Sequence, residues 1–110
     1  MNPRPHPLDS LAMRCHDNAR AHGFWPPEGR NKGEMMMLEV SEIAERLEAV
    51  RHKNPPSEHI PEFSLEEEEV ADLIIRALDY SFGHGLRLGE AFEAKMQYNA
   101  NRPHKHNKEF

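Results

Sequence analysis

Apolar residues recur three and four positions apart in four stretches of this 110-residue chain, and no segment alternates them singly. That spacing predicts helices and no strands. The first helix is expected from about Leu8 to His22, with Leu8, Leu11, Ala12, Cys15 and Ala19 on one face and Gly23 ending it. Asn31, with Glu34 three residues on, caps a second helix that runs to about His52, where Asn54-Pro-Pro-Ser57 breaks the pattern. Ser64 and Glu67 form a capping box for the third, closed by Gly83 and Gly85. A fourth starts near Leu88, carries Ala91, Phe92, Lys95, Met96 and Asn99, and stops at Pro103.

The second helix has an unusual surface. Met36, Val40, Ile43, Leu47 and Val50 form an apolar stripe. At about 100° per residue, Glu39 falls just beside it. Glu42 falls further round, between Met35 on one side and Ala49 and Leu38 on the other. Ser41, Glu45 and Glu48 mark the polar face. Two carboxylates therefore sit within the apolar part of the helix, which is costly unless they are paired or bind a cation.

The third helix is apolar over more than half its circumference, through Val70, Ala71, Leu73, Ile74, Ile75, Ala77, Leu78 and Phe82. Such a helix is covered on more than one side. In a short chain, a second subunit is the simplest cover. Its remaining face aligns Glu69, Asp72, Arg76 and Asp79, which alone reads as a solvated line.

Composition narrows the class. One domain fits the length. Apolar residues make up 37% and the mean hydropathy is −0.85, which suits helices with wide polar faces or a core completed by oligomerisation. A net charge of −5 argues against a general nucleic-acid binder. The single cysteine, Cys15, has no partner for an intrachain disulfide and reads as an incidental or buried thiol. No run approaches the roughly 20 apolar residues of a membrane span, and the N-terminus lacks a signal core. A cytoplasmic location is expected. Residues 1–7, with three prolines, are expected to be extended, 8–102 to be the helical domain, and 103–110 a basic tail.

If helices two and three pack antiparallel, Glu39, Glu42, Glu69 and Asp72 converge, since i, i+3 spacing keeps each pair on one face. Four carboxylates persist together only around cations or protons. An all-oxygen set without His or Cys suits Mg²⁺, or Mn²⁺, and the chemistry that uses it is metal-assisted cleavage of phosphate esters or anhydrides. There is no EF-hand loop, and neither pair is the Glu-x-x-His of ferritin-like di-iron sites.

Glu39-x-x-Glu42, a spacer and Glu69-x-x-Asp72, in a helical chain of this size, resemble the MazG-like nucleoside triphosphate pyrophosphohydrolases of the all-α NTP pyrophosphatase group. Met37-Leu-Glu-Val-Ser-Glu-Ile-Ala-Glu45 looks like the first motif helix of that family and Glu68 to Asp79 like the second. Lys95-Met-Gln-Tyr-Asn-Ala-Asn-Arg102 is similar to its Lys…Asn…Arg ending. The resemblance spans roughly residues 8–110 and implies an all-α, four-helix-bundle-type fold, as a homodimer or dimer of dimers. It implies Mg²⁺-dependent hydrolysis of an NTP or dNTP to the monophosphate and pyrophosphate, in nucleotide-pool housekeeping. Carried over, Glu39, Glu42, Glu69 and Asp72 are the metal ligands, with Glu42 also drawing a proton from the attacking water. Lys95 and Arg102 meet phosphate oxygens, Asn99 meets sugar, base or phosphate, and Trp25 flanks the base.

Each of these has a plainer alternative. Lys95, Asn99 and Arg102 also suit a helix C-terminus. Phe24-Trp25 before two prolines suits a hydrophobic plug. Asp79 is a further ligand or, with more weight, an ion-pair partner for Arg76. Met35 to Met37 read as core, and His104 and His106 as part of the tail rather than a metal pair. For the whole chain, the alternative is a non-catalytic helical dimerisation or nucleotide-sensing module.

Overall fold

A computed structural model of the chain describes residues 4–103. Four helices follow in order: α1 (Pro7–Ala21), α2 (Lys32–Arg51), α3 (Leu65–Gly83) and α4 (Leu88–Ala100). No strand occurs among the described residues; Pro56 and Ser64 pair only as an isolated antiparallel bridge. No helix among them is long and apolar enough to cross a membrane. His104 and His106 lie outside the described residues.

The expected caps form. The Asn31 side chain accepts from the Glu34 amide at 2.9 Å. Ser64 and Glu67 exchange the two bonds of a capping box. Helix α1 starts one residue before expectation, because the His6 ring accepts from the Leu8 amide and Pro7 takes a first-turn position that needs no N–H. Gly23, at φ +82°, lets the chain leave α1 in the left-handed region.

The link between α2 and α3 is closely tied. Lys53 and Asn54 adopt positive φ, and the Asn54 amide bonds back to the Ala49 carbonyl at 2.7 Å. The Asn54 side chain then accepts from the Glu66 amide, joining the end of α2 to the start of α3. Ser57 is buried in this loop; it donates to Glu68 and accepts from the His59 and Ile60 amides. The two helices run antiparallel: Arg46 meets Glu66, and Glu42 meets Arg76 further along α3.

Helix α3 packs against both α1 and α2, and α4 packs against α1. Among the described residues the buried apolar side chains are few: Ala12, Met35, Ala49 and Leu78. The face that α2 turns inward is Met35, Glu42 and Ala49, at seven-residue spacing. Its stripe of Met36, Val40, Ile43, Leu47 and Val50 stays about half exposed in the single chain, as do Ile74 and Ile75 of α3. The line on α3 is not a solvated face. Glu69 and Asp79 are buried, and Asp72 and Arg76 are half-buried, because this side of α3 meets α1 and α2.

Candidate metal centre

Carboxylate oxygens of Glu42, Glu69 and Asp72 lie within 4.8 Å of one another. The antiparallel pair creates this meeting: Glu42 comes from the inward face of α2, while Glu69 and Asp72 occupy successive turns of α3. Arg76, the next turn on, donates from Nε to Glu42 Oε1 at 2.8 Å. Among the described residues, no protein N–H or O–H reaches Glu42 Oε2 or Glu69 Oε2, though both atoms are sealed from solvent. Such orphaned acceptors are satisfied by a retained proton, an ordered water or a cation.

The titration of the cluster reflects this. Burial, with the neighbouring Glu45 and Glu42 carboxylates, pushes Glu69 up to about 8. Burial acts on Glu42 in the same direction, but the Arg76 hydrogen bond, helped by the neighbouring Glu69 and Glu45 carboxyls, outweighs it and holds Glu42 below its ordinary value. Asp72 is raised by burial and then by the charges of Glu42 and Glu68. Glu39 is raised by burial, against the pull of Arg76.

Glu39 stands apart from the three converging acids. Glu45, assigned to the polar face from periodicity alone, lies near enough to both Glu42 and Glu69 to influence their titration. Its position one turn after Glu42 was the available signal.

Beside the acids lies a cleft of about 260 Å³. Glu42, Asp72, Arg76 and Asp79 form its polar wall, Cys15, Asn18 and Ala19 of α1 another, with Phe24, Arg30 and Ile75 completing it. Asp79 neither pairs with Arg76 nor joins the acid cluster. Its Oδ1 accepts from His16 Nδ1 at 3.0 Å and Trp25 Nε1 at 2.8 Å. These partners, 63 and 54 residues away in sequence, are not visible in local spacing.

Trp25 is the plug of its loop. Its ring packs edge-on to His16 at 4.8 Å and lies so close to Gly83 that a Cβ there would overlap it. The Arg30 guanidinium sits 5.9 Å from the ring centroid. Phe24, the other aromatic of the pair, is the one that lines the cleft. The Cys15 thiol is raised by burial and by the Asp79 charge, so it stays protonated and poorly nucleophilic.

Lys95, Asn99 and Arg102 do not line the cleft. The physical reason is the docking of α4 on the N-terminal turn of α1. The Asp9 carboxylate accepts from the Gly89 amide at 3.0 Å, and the His6 ring donates to Glu93 at 2.8 Å. The cleft opens at the other half of α1, near Cys15 and Asn18. Lys95 and Arg102 instead stack on Tyr98, at 4.5 and 5.5 Å from its ring centroid. Among the described residues, the Asn99 side-chain oxygen is sealed without a hydrogen-bond partner.

No protein-family model, curated protein or solved structure matches the chain.

Proposed function

We propose that the chain is a Mg²⁺-dependent nucleoside triphosphate pyrophosphohydrolase of MazG-like type, releasing pyrophosphate and a nucleoside monophosphate. The observation that carries this reading is the buried meeting of Glu42, Glu69 and Asp72 with two orphaned carboxylate oxygens. The donors fit a hard cation: they are all oxygen, with no His or Cys among them. Glu42, Glu69 and Asp72 would hold the metal, with Glu39 and Glu45 as neighbouring carboxylates. Mn²⁺ fits the same donors.

Bound Mg²⁺ supplies charge neutralisation to phosphate oxygens and acidifies a water. The residues do the rest. Arg76 keeps Glu42 ionised, so Glu42 is available to take a proton from the attacking water. The adjoining cleft, with Phe24 and Asn18 on its walls, offers an apolar surface and an amide for sugar or base. Lys95, Asn99 and Arg102 would serve substrate only through a different juxtaposition, such as a second copy of the chain. A homodimer or dimer of dimers is part of this reading; it would cover the half-exposed apolar stripe of α2.

The test is pyrophosphate release from a panel of NTPs and dNTPs with Mg²⁺. Glu42→Gln is expected to lower turnover by about a hundredfold or more. No turnover on any nucleotide refutes the reading and leaves the non-catalytic module, and equal turnover in wild type and variant refutes it at this site.

A further inference from the structure

The charge on the cleft wall is not all negative. Arg76 sits on α3 one turn after Asp72 and lines the cleft beside Glu42 and Asp72. Its bond to Glu42 is made by Nε alone, at 2.8 Å. The partner carboxylate is almost fully buried, while the Arg76 side chain is 40% exposed. Nη1 and Nη2 make no hydrogen bond to the protein among the described residues. One edge of the guanidinium is therefore fixed by a buried anion, and the neighbouring donors are left at the cleft.

A planar guanidinium held this way is preorganised for a second anion. Its remaining donors match two oxygens of one phosphate group, and the cost of ordering the side chain is already met by the bond to Glu42. A carboxylate in that position would be redundant, since the cleft already carries Glu42, Asp72 and Asp79. A polyphosphate is different: it brings negative charge to the Arg and oxygen ligands to a cation on the acids. We infer that Arg76 is the phosphate-binding residue of the cleft, holding a polyphosphate oxygen edge through Nη1 and Nη2 while Nε fixes Glu42. This rests on the pyrophosphohydrolase reading for its substrate, and assigns to Arg76 the role that the resemblance implied for Lys95 and Arg102.

The two jobs of Arg76 separate in experiment. At a pH alkaline enough that Glu42 stays ionised without its partner, removing Arg76 frees Glu42 Oε1 and takes a positive charge from beside the cation site, so binding of a bare cation stays equal or tightens. The same change removes the phosphate donors, so polyphosphate binding weakens. A merely structural role would weaken both. The wild type, Arg76→Ala and Arg76→Lys are titrated with Mn²⁺ alone, followed by paramagnetic resonance of the free ion. They are then titrated with inorganic tripolyphosphate at saturating Mn²⁺, by calorimetry.

Arg76→Ala is expected to weaken tripolyphosphate about tenfold or more, with Mn²⁺ affinity unchanged or higher. Arg76→Lys, which keeps a charge but loses the fork, falls between, and it decides the matter if the alanine variant does not fold. Equal tripolyphosphate affinity in all three proteins, parallel loss of both ligands, or no tripolyphosphate binding by the wild type overturns the inference. Nucleotide turnover of the wild type is read separately. Arg76-dependent tripolyphosphate binding without turnover on any nucleotide leaves the inference standing and removes the hydrolase reading. Turnover with Arg76-independent binding does the reverse.

Discussion

Glu69 concentrates the tension in the site. Its carboxyl is pushed from an ordinary 4.5 to about 8 by burial and by Glu45 and Glu42. Without metal, the folded chain keeps this proton between those values while the unfolded chain releases it. Raising the pH then favours the unfolded state. The stabilisation is complete below about 4.5 and is lost as the pH climbs through about 8. Glu39 and Asp72 shift in the same direction and Glu42 in the opposite one, so a substitution at Glu69 isolates its share. The metal-free melting temperature of Glu69→Gln is expected to match wild type near pH 5 and exceed it at pH 8, because the amide supplies the donor that the proton supplied. Mg²⁺ is expected to raise the wild-type value at pH 8 and leave the variant unmoved; melting by circular dichroism in EDTA and in Mg²⁺ reads both. A second residue-scale outcome concerns Gly83, whose added Cβ would overlap the Trp25 ring. Gly83→Ala is expected to cost about 1–3 kcal/mol through overpacking. It should also red-shift the emission of Trp25, the chain's one tryptophan, as the ring leaves His16 and Asp79. Denaturant midpoint and fluorescence spectrum check the two effects together.

At the scale of elements, the boundaries were readable because short-range chemistry sets them. Asn31 with Glu34 and Ser64 with Glu67 are caps written within four residues, and Gly23 supplies the left-handed turn after α1. Ser64→Ala is accordingly expected to cost about 1 kcal/mol, seen as a lower denaturant midpoint at unchanged helix content. The inward position of Glu42 was also legible, since Met35 and Ala49 flank it on the same face. The buried side of α3 was not. Hydrophobicity singles out the arc with Ile74, Ile75 and Phe82, yet the structure turns Glu69, Asp72, Arg76 and Asp79 toward the other helices. Amphipathic reading assigns polar side chains to solvent, and it fails where they satisfy one another across helices, as Arg76 does for Glu42 and His16 for Asp79. Those pairs span 34 and 63 residues, far beyond any local pattern. The same distance hid the docking of α4 on α1, which withdraws Lys95 and Arg102 from the cleft.

At the scale of the whole molecule, polar contacts at the centre leave the apolar surface outside. The inner faces of α1, α2 and α3 carry His16, Glu42, Glu69 and Asp79, while Val40, Ile43, Leu47 and Val50 are 49–55% exposed along one side of α2. A helix-long apolar stripe with little cover marks an interaction surface more often than a free monomer's exterior. A second copy presents the same stripe, so two-fold packing along α2 buries it in a self-complementary way. Wild type is therefore expected to scatter light as a multiple of 12.8 kDa, with a melting temperature that rises with protein concentration. Ile43→Glu combined with Leu47→Glu places charge in the middle of the half-exposed stripe and leaves the buried Met35, Glu42 and Ala49 of α2 unchanged. That double variant is expected to run at 12.8 kDa, to melt lower, and to lose the concentration dependence. Its Mn²⁺ affinity reports whether the acid cluster needs the second copy. Retained affinity places the metal site within one chain, consistent with Glu42, Glu69 and Asp72 all belonging to it. A wild type that stays at 12.8 kDa at every concentration, with the double variant equally stable, refutes burial of the stripe by a second copy.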